Sequence, residues 1–144
     1  NLNTNKISKF LKKINIKKGD RVAAYMPNTI ETVEAFIATT PLGVIWSSCS
    51  PDFGAKGVIE RFSQINPKVL FITDQYFYNG KKIDVLKRLP EILKLIPSIK
   101  SVVISNYPGK KFIKNKYKFS ISNLKSEIKF ESVIIGSYAW VYKI

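Results

Sequence analysis

Few residues of this chain are of the types that carry out covalent or metal chemistry. The 144 residues include a single cysteine, Cys49, and no histidine. Histidine-based catalytic triads and zinc sites are therefore excluded within these residues. Three serines lie close to Cys49 in the string from residue 46 to residue 54. No base stands near them in the sequence, and a serine or cysteine nucleophile needs one. We therefore interpret Cys49 as a small, buried packing residue.

Two glycine–lysine turns are the remaining candidates for a binding site. Neither of the standard glycine-rich phosphate loops occurs, so the sequence contains no recognisable ATP site. The Gly-Lys-Lys trios at residues 80–82 and 109–111 could hold a phosphate, although such trios are common in surface turns. The first trio ends the aromatic stretch 76–82, which follows an expected strand and therefore lies where α/β sheets bind ligands. A lysine turn covered by aromatic side chains is the alternative interpretation.

Four short apolar runs predict the strands of the fold. They occupy residues 21–26, 44–48, 68–73 and 101–105, and each is long enough for a buried strand but too short for a helix. Helical patterns separate the runs, as expected for βαβ units. The sequence therefore predicts an α/β fold in which helices cover both faces of a parallel sheet.

The helical patterns have recognisable starts and ends. The first covers residues 5–15, and the second begins with the capping-box spacing of Asn28 and Glu31 and must end before Pro41. The apolar face of this second helix carries Ile30, Val33 and Ile37.

The later helices follow turns or contain a helix breaker. Asp52 is expected to cap a third helix, which ends before Asn66 and Pro67. Pro90 should break or restart the helical run from residue 84 to residue 96, because proline is best tolerated in a first turn. Residues 121–129 fit one more short helix. Trp46, in the second of the apolar runs, is expected to lie in the core.

The charge of the chain at first suggests a nucleic-acid-binding module. The net charge is +14 and the pI is about 9.9, which is typical of such proteins. However, only three of the 24 cationic residues are arginine, the side chain that reads phosphate and guanine best. A general preference for lysine at solvated positions explains the composition more simply. We therefore expect no nucleic-acid partner and keep this module as an alternative.

Composition also favours a single soluble domain. The chain has the length of one domain, and no apolar run approaches the length of a membrane-spanning helix. Its opening segment does not look like a signal peptide. One cysteine cannot form an internal disulfide, so a reducing, cytoplasmic setting is expected.

The order of motifs between residues 19 and 62 resembles the acetoacetate-CoA ligase branch of the adenylate-forming enzymes. The most specific part is the string Trp46-Ser47-Ser48-Cys49-Ser50-Pro51-Asp52-Phe53-Gly54, and the resemblance extends from about Ile7 to Ile104. It implies a reaction that joins acetoacetate to AMP, using ATP and Mg²⁺, and then transfers the acyl group to coenzyme A (CoA).

The resemblance also implies one site within the chain and the absence of others. It places Tyr78, Asn79, Gly80 and Lys81 against the nucleotide end of CoA, where Lys81 would meet phosphate and Tyr78 would pack on the base or ribose. It carries over no catalytic residue, because the phosphate loop, the adenylate motif and the catalytic lysine of the family lie beyond the resembling part.

Family members are much longer, so residues 1–144 are expected to be a partial N-terminal α/β domain, with no second domain and no activity alone. Such a piece should have an open sheet edge and marginal stability. A complete, non-catalytic accessory domain remains the second alternative.

Overall fold

The chain folds as alternating helices and strands in the computed structural model, which describes residues 2–107, 129–131 and 138–143. The helices are α1 (Leu2–Lys13), α2 (Ile30–Thr39), α3 (Ala55–Ser63) and α4 (Leu89–Leu95). The strands are β1 (Arg21–Tyr25), β2 (Ile45–Cys49), β3 (Val69–Thr73), β4 (Gln75–Tyr78), β5 (Lys81–Asp84), β6 (Ser101–Ser105), β7 (Lys129–Glu131) and β8 (Tyr138–Lys143). Short 3₁₀ turns at Thr40–Leu42 and Leu86–Arg88 follow α2 and precede α4.

Six strands form one sheet in the order β2-β1-β3-β6-β8-β7. The first four are parallel to one another, whereas β8 runs antiparallel to both β6 and β7. The parallel part and its flanking helices confirm the α/β prediction. Strands β4 and β5 form a separate antiparallel hairpin.

Helices cover both faces of the parallel strands, which explains why these strands are nearly continuous apolar runs. Alternate residues of each strand enter two different clusters. The cluster under α1 and α2 takes Val22, Ala24, Val69, Phe71 and Val103 from the sheet. The cluster under α3 and α4 takes Ala23, Tyr25, Leu70, Ile72, Val102 and Ile104.

Helix α2 does not pack on the sheet through its large apolar residues. Ile30, Val33 and Ile37, the face that the sequence pattern picks out, are 74%, 55% and 49% exposed. The buried side of α2 instead consists of the small or polar residues Glu34, Ala35, Ala38 and Thr39. Small side chains allow close approach to α1, where the Ser8 hydroxyl donates a 2.6 Å hydrogen bond to the Ala38 carbonyl.

Two predicted helix caps are wrong. The N-cap of α2 is Thr29 rather than Asn28, and its side chain makes no capping hydrogen bond. The N-cap of α3 is Gly54 rather than Asp52. Asp52 lies inside the preceding turn, where its carboxylate accepts a 3.0 Å hydrogen bond from the nearby Ser50 hydroxyl. The Asp52 carboxylate therefore bonds to the Ser50 hydroxyl instead of capping α3.

The four expected strands lie within one residue of the observed bounds, whereas α1 begins and ends earlier than the expected 5–15 and residue 84 ends β5 rather than beginning a helix. Pro90 lies in the first turn of α4, after the short 3₁₀ turn, as expected for a restarted helix. The expected helix at 121–129 and the trio at 109–111 fall almost entirely outside the described residues, and Lys129 itself begins β7. Within the described ranges, no helix has the length and apolar character needed to cross a bilayer.

Candidate functional site

The carboxyl ends of the four parallel strands define one edge of the sheet. Tyr25, Cys49, Thr73 and Ser105 end β1, β2, β3 and β6. Because these strands are parallel, the segments that follow them gather at this edge, which is where open α/β sheets bind ligands. The segment after β3 is the β4–β5 hairpin.

The hairpin turns through Asn79 and Gly80. Both residues have positive φ angles, 49° and 71°, as in a type I′ turn, which matches the twist of the two flanking strands. The turn sets the register, in which Tyr78 lies opposite Lys81 and Gln75 opposite Asp84. The sequence pattern predicts a turn here but not the two flanking strands, although Asn-Gly is a strong hairpin signal.

The four residues of the expected CoA contact lie together at the tip of this hairpin. Tyr78, Asn79, Gly80 and Lys81 are all exposed, with 55% of Tyr78 accessible. The Tyr78 ring stacks on Tyr76, with centroids 6.2 Å apart and planes inclined by 18°. The tip therefore presents an aromatic face and a lysine that a nucleotide could reach. Its four residues are not packed into the core.

The base of the hairpin is anchored to the segment after β6. Asp74, which is 5% exposed, accepts a 2.7 Å hydrogen bond from the Tyr107 backbone N–H through its carboxylate. Its own carbonyl accepts hydrogen bonds from the N–H groups of Val85 and Leu86, where the hairpin ends. Burial raises the pKa of the Asp74 carboxyl, while hydrogen bonds from the Tyr107 and Gln75 backbone act in the opposite direction. Asp74 thus joins three segments at the ligand edge.

Aromatic contacts support the same junction. The Tyr107 ring lies 5.4 Å from Phe77 and 6.3 Å from Tyr76, measured between centroids. These inclined ring pairs connect the hairpin to the segment after β6, at distances that are favourable for aromatic side chains. The hairpin is therefore held at its base and open at its tip.

A second junction fixes the turn that follows β2. The Arg88 guanidinium donates hydrogen bonds to the Pro51 carbonyl (2.9 Å), the Phe53 carbonyl (3.1 Å) and the Tyr25 hydroxyl. The Tyr25 hydroxyl in turn donates to the Phe53 carbonyl. Burial raises the pKa of the Tyr25 phenol, partly offset by Arg88. One arginine therefore holds the most family-specific string of the sequence in place.

Cys49 and Trp46 are packing residues, as expected. Cys49 is 5% exposed, and burial raises the pKa of its thiol, so the reactive thiolate is disfavoured. Trp46 is half-buried, and its ring lies 5.7 Å from Phe36 and 6.0 Å from Phe71. Neither side chain has the surroundings of a catalytic group.

Sequence reasoning missed the three residues that organise the ligand edge, namely Tyr25, Asp74 and Arg88. Their positions gave a partial signal, because Tyr25 ends one predicted strand and Asp74 directly follows another. Arg88 gave almost none, since its partners are 35 to 63 residues away in the sequence.

Comparison with known proteins identifies the family of this chain. A family profile described as "AMP-binding enzyme" matches residues 1–127. The chain belongs to the AMP-binding enzyme family. The resemblance to the adenylate-forming enzymes found in the sequence is confirmed.

Curated relatives are similar to this chain over a small part of their own length. Acetoacetyl-CoA synthetase of Macaca fascicularis is 40% identical over 118 residues, which are 82% of this chain and 17% of the relative. The Xenopus tropicalis synthetase is 48% identical over 97 residues, or 67% of this chain and 14% of the relative. The Rhizobium meliloti enzyme is 49% identical over 94 residues, or 65% and 14%.

A solved structure shows the same fold. Acetoacetyl-CoA synthetase from Streptomyces lividans superimposes with a TM-score of 0.71 at 35% identity, covering 78% of this chain and 17% of that one. The chain thus spans about a sixth of the length of the relatives it matches.

The described residues do not form a metal site. In residues 2–107, 129–131 and 138–143, no group of three or more cysteine and acidic side chains could hold a metal ion. These residues therefore offer no cluster of side-chain ligands for the Mg²⁺ ion that the resemblance implies.

Proposed function

We propose that this chain forms part of an acetoacetate-CoA ligase, which makes acetoacetyl-CoA from acetoacetate, ATP and CoA and releases AMP and diphosphate. The observation that carries the proposal is the 40% to 49% identity to relatives named acetoacetyl-CoA synthetase in vertebrates and in a bacterium. The family-specific string, residues 46–54, covers most of β2 and the turn before α3 and lies within the matched fold.

Within that ligase the role of residues 1–144 is structural, apart from the CoA contact assigned to the hairpin tip below. They form part of the large N-terminal α/β domain of a cytoplasmic enzyme, supply one wall at the ligand edge, and contribute no residue that touches the reacting atoms. The Asp74 and Arg88 junctions support this role, because they fix loops without presenting an activated nucleophile or base. The isolated chain is accordingly inactive.

The hairpin tip is the part of this chain that meets a substrate. We assign Tyr78, Asn79, Gly80 and Lys81 to the nucleotide end of CoA. Their support is the position of the hairpin after β3, the exposure of all four residues and the aromatic stack beside a lysine. An ammonium can form charge-assisted hydrogen bonds with phosphate, and an aromatic face can pack on the base.

A chimaera tests the proposed function. The segment of the Rhizobium meliloti enzyme that matches this chain is replaced by the corresponding residues of this chain, and acetoacetyl-CoA formation is measured. We expect the chimaera to be active, and residues 1–144 alone to release no pyrophosphate from ATP and acetoacetate. A folded but inactive chimaera would instead favour a non-catalytic accessory domain, and pyrophosphate release by the isolated chain would contradict the structural role.

The hairpin assignment is tested in the same chimaera with Lys81→Ala. Loss of a charged hydrogen bond is worth about 1.5–3 kcal/mol, so the KM for CoA should rise by about tenfold or more. The rate of ATP–pyrophosphate exchange, which precedes CoA binding in the proposed reaction, should not change.

Lys82→Ala is the matched control for Lys81→Ala. Neighbouring residues of a strand point to opposite faces, so Lys82 faces away from the side that Lys81 presents. Its replacement should leave the KM for CoA within about twofold if only Lys81 contacts phosphate. Equal effects of the two substitutions would show that the hairpin supplies only diffuse positive charge.

A further inference from the structure

The outer face of α2, defined as Ile30, Val33, Phe36 and Ile37, is an apolar surface that the rest of the described structure leaves open. Their exposed fractions are 74%, 55%, 48% and 49%. The opposite side of the same helix is buried against α1 and the sheet. A helix that is buried on one side and carries large apolar residues on the other is typical of the interior of a larger protein.

The surroundings of this face are suited to polypeptide and poorly suited to phosphate. Ile30, Val33 and Ile37 line a groove of about 660 Å³ together with polar residues that include Thr4, Thr32 and Glu34. No lysine or arginine lines the groove, although the chain carries a net charge of +14. A nucleotide or nucleic acid would require cations at such a surface, whereas an apolar segment would not.

The open surface continues from α2 onto the edge of the sheet. Phe36 contacts Trp46 of β2, and Ile45 at the start of β2 is 53% exposed. Among the described strands, β2 pairs only with β1. The helix face and the strand edge beside it are therefore open together, and an additional polypeptide segment could cover both.

We propose that the outer face of α2 is the surface on which a further segment of the longer ligase polypeptide, outside residues 1–144, packs. This proposal rests on the proposed function, because the occupant is taken from the ligase chain. Its support is the length of the relatives: the chain covers 17% of the Macaca fascicularis synthetase, so most of the polypeptide lies elsewhere. Packing of that segment on the outer face of α2 would bury the apolar side chains that are exposed in residues 1–144.

Thiol accessibility tests this proposal without requiring turnover. Ile37→Cys is introduced into residues 1–144 and into the Rhizobium meliloti chimaera, and alkylation by N-ethylmaleimide is followed in each. The engineered thiol should react readily in the isolated chain and at least about tenfold more slowly in the chimaera, because reaction then requires local opening. Buried Cys49 serves as the slow internal reference in both proteins.

Lys12→Cys is the matched control. It lies on α1, exposed and on the same side of the sheet, and should react at similar rates in both proteins. If the chimaera does not fold, the same measurement is made in the Rhizobium meliloti enzyme without the exchanged segment, carrying cysteine at the position aligned with Ile37.

Two results would overturn the proposal. Equal reactivity of the Ile37→Cys thiol in the isolated chain and in the full-length protein, whether fast or slow in both, would show that no segment outside residues 1–144 covers α2. Slow reaction in the isolated chain that becomes slower as protein concentration rises would identify a second copy of this chain as the occupant. A chimaera that protects the thiol but makes no acetoacetyl-CoA would support the packing surface while contradicting the proposed function.

Discussion

At the scale of single residues, each of the three arginines makes contacts that depend on its planar guanidinium group. Arg21 donates from Nε to the Ile65 carbonyl at 2.7 Å, and the Arg61 guanidinium lies 4.5 Å from the centre of the Phe53 ring. Arg88 bonds to Pro51, Phe53 and Tyr25. Two of the three therefore act on the turn between β2 and α3. Lysine cannot replace arginine in such forked or stacked contacts.

Replacement of Arg88 by lysine should destabilise the fold although the charge is kept. Loss of the hydrogen bonds to the Pro51 and Phe53 carbonyls should lower the free energy of unfolding by about 1–3 kcal/mol. Urea unfolding of Arg88→Lys measures this change. The neighbouring exposed substitution Lys87→Arg is the control and should stay within about 0.5 kcal/mol of the parent. An Arg88→Lys variant as stable as the parent would contradict the role given to the guanidinium.

Asp74 should make stability depend on pH, because burial raises its folded pKa above the unfolded value. Such a group contributes its full stability below the unfolded pKa, near 3.9, and loses it as the pH rises through the folded pKa. Compared with Asp74→Asn, which does not titrate, the parent should therefore become relatively less stable as the pH rises from about 3 towards 7.

Urea unfolding of the parent and Asp74→Asn across this pH range measures the difference. Asp20 acts in the opposite direction, because hydrogen bonds from Lys68 and from the Lys17 backbone lower its pKa, but it is common to both proteins and cancels. A pH-independent difference, or one that favours the parent at higher pH, would contradict the direction assigned to Asp74.

At the scale of elements, two glycines show that the effect of an added side chain on stability depends on the element in which it lies. Gly80 has a φ of +71° in the hairpin turn, and a Cβ added there would meet no atom within 4 Å. Gly57 lies inside α3, and an added Cβ would make ordinary contacts with Phe53 at 3.5 and 3.7 Å. Steric crowding is therefore small at both sites, and the backbone conformation dominates.

Alanine at these two positions should change stability in opposite directions. Gly80→Ala should lower the free energy of unfolding by about 1 kcal/mol, because a left-handed backbone strains residues with a Cβ. Gly57→Ala should raise it by about 0.5–1 kcal/mol, because alanine favours the helix. Thermal and urea unfolding compare the two variants directly, each serving as control for the other. Effects of the same sign would show that the hairpin turn or α3 differs from the structure described above.

Helices and strands were predictable where burial determines the sequence pattern. Helix caps and the exposed hairpin were less predictable, because they depend on hydrogen bonds and turns between neighbouring residues. The strand at residues 101–105 was predicted with its observed bounds, because a fully buried strand in a parallel sheet is a short apolar run. The caps at Asn28 and Asp52 failed, since a neighbouring residue took over the cap position or the hydrogen bond. The β4–β5 hairpin was missed because its exposed aromatic and lysine residues do not alternate as a half-buried strand would.

At the scale of the whole molecule, the charge of +14 works against folding. Many exposed lysines repel one another, and salt screens exposed charges over about 10 Å at 0.1 M. We therefore expect the midpoint of thermal unfolding to rise as NaCl increases from about 0.02 M to 0.3 M.

The double variant Lys9→Gln, Lys12→Gln on the exposed side of α1 is the comparison. It carries less positive charge, so its midpoint should rise less over the same salt range. An identical salt response in parent and variant would show that charge repulsion does not limit the stability of the chain.

The sequence by itself determined the α/β class, the order of most elements and the family, because apolar runs and a specific string of residues are local properties. Only the tertiary structure decided which side of α2 is buried, since both sides of that helix carry apolar residues and contact with α1 selects the smaller ones. It also revealed the junctions at Asp74 and Arg88. These depend on contacts between residues more than 30 positions apart, and the folded sheet brings such residues together at one edge.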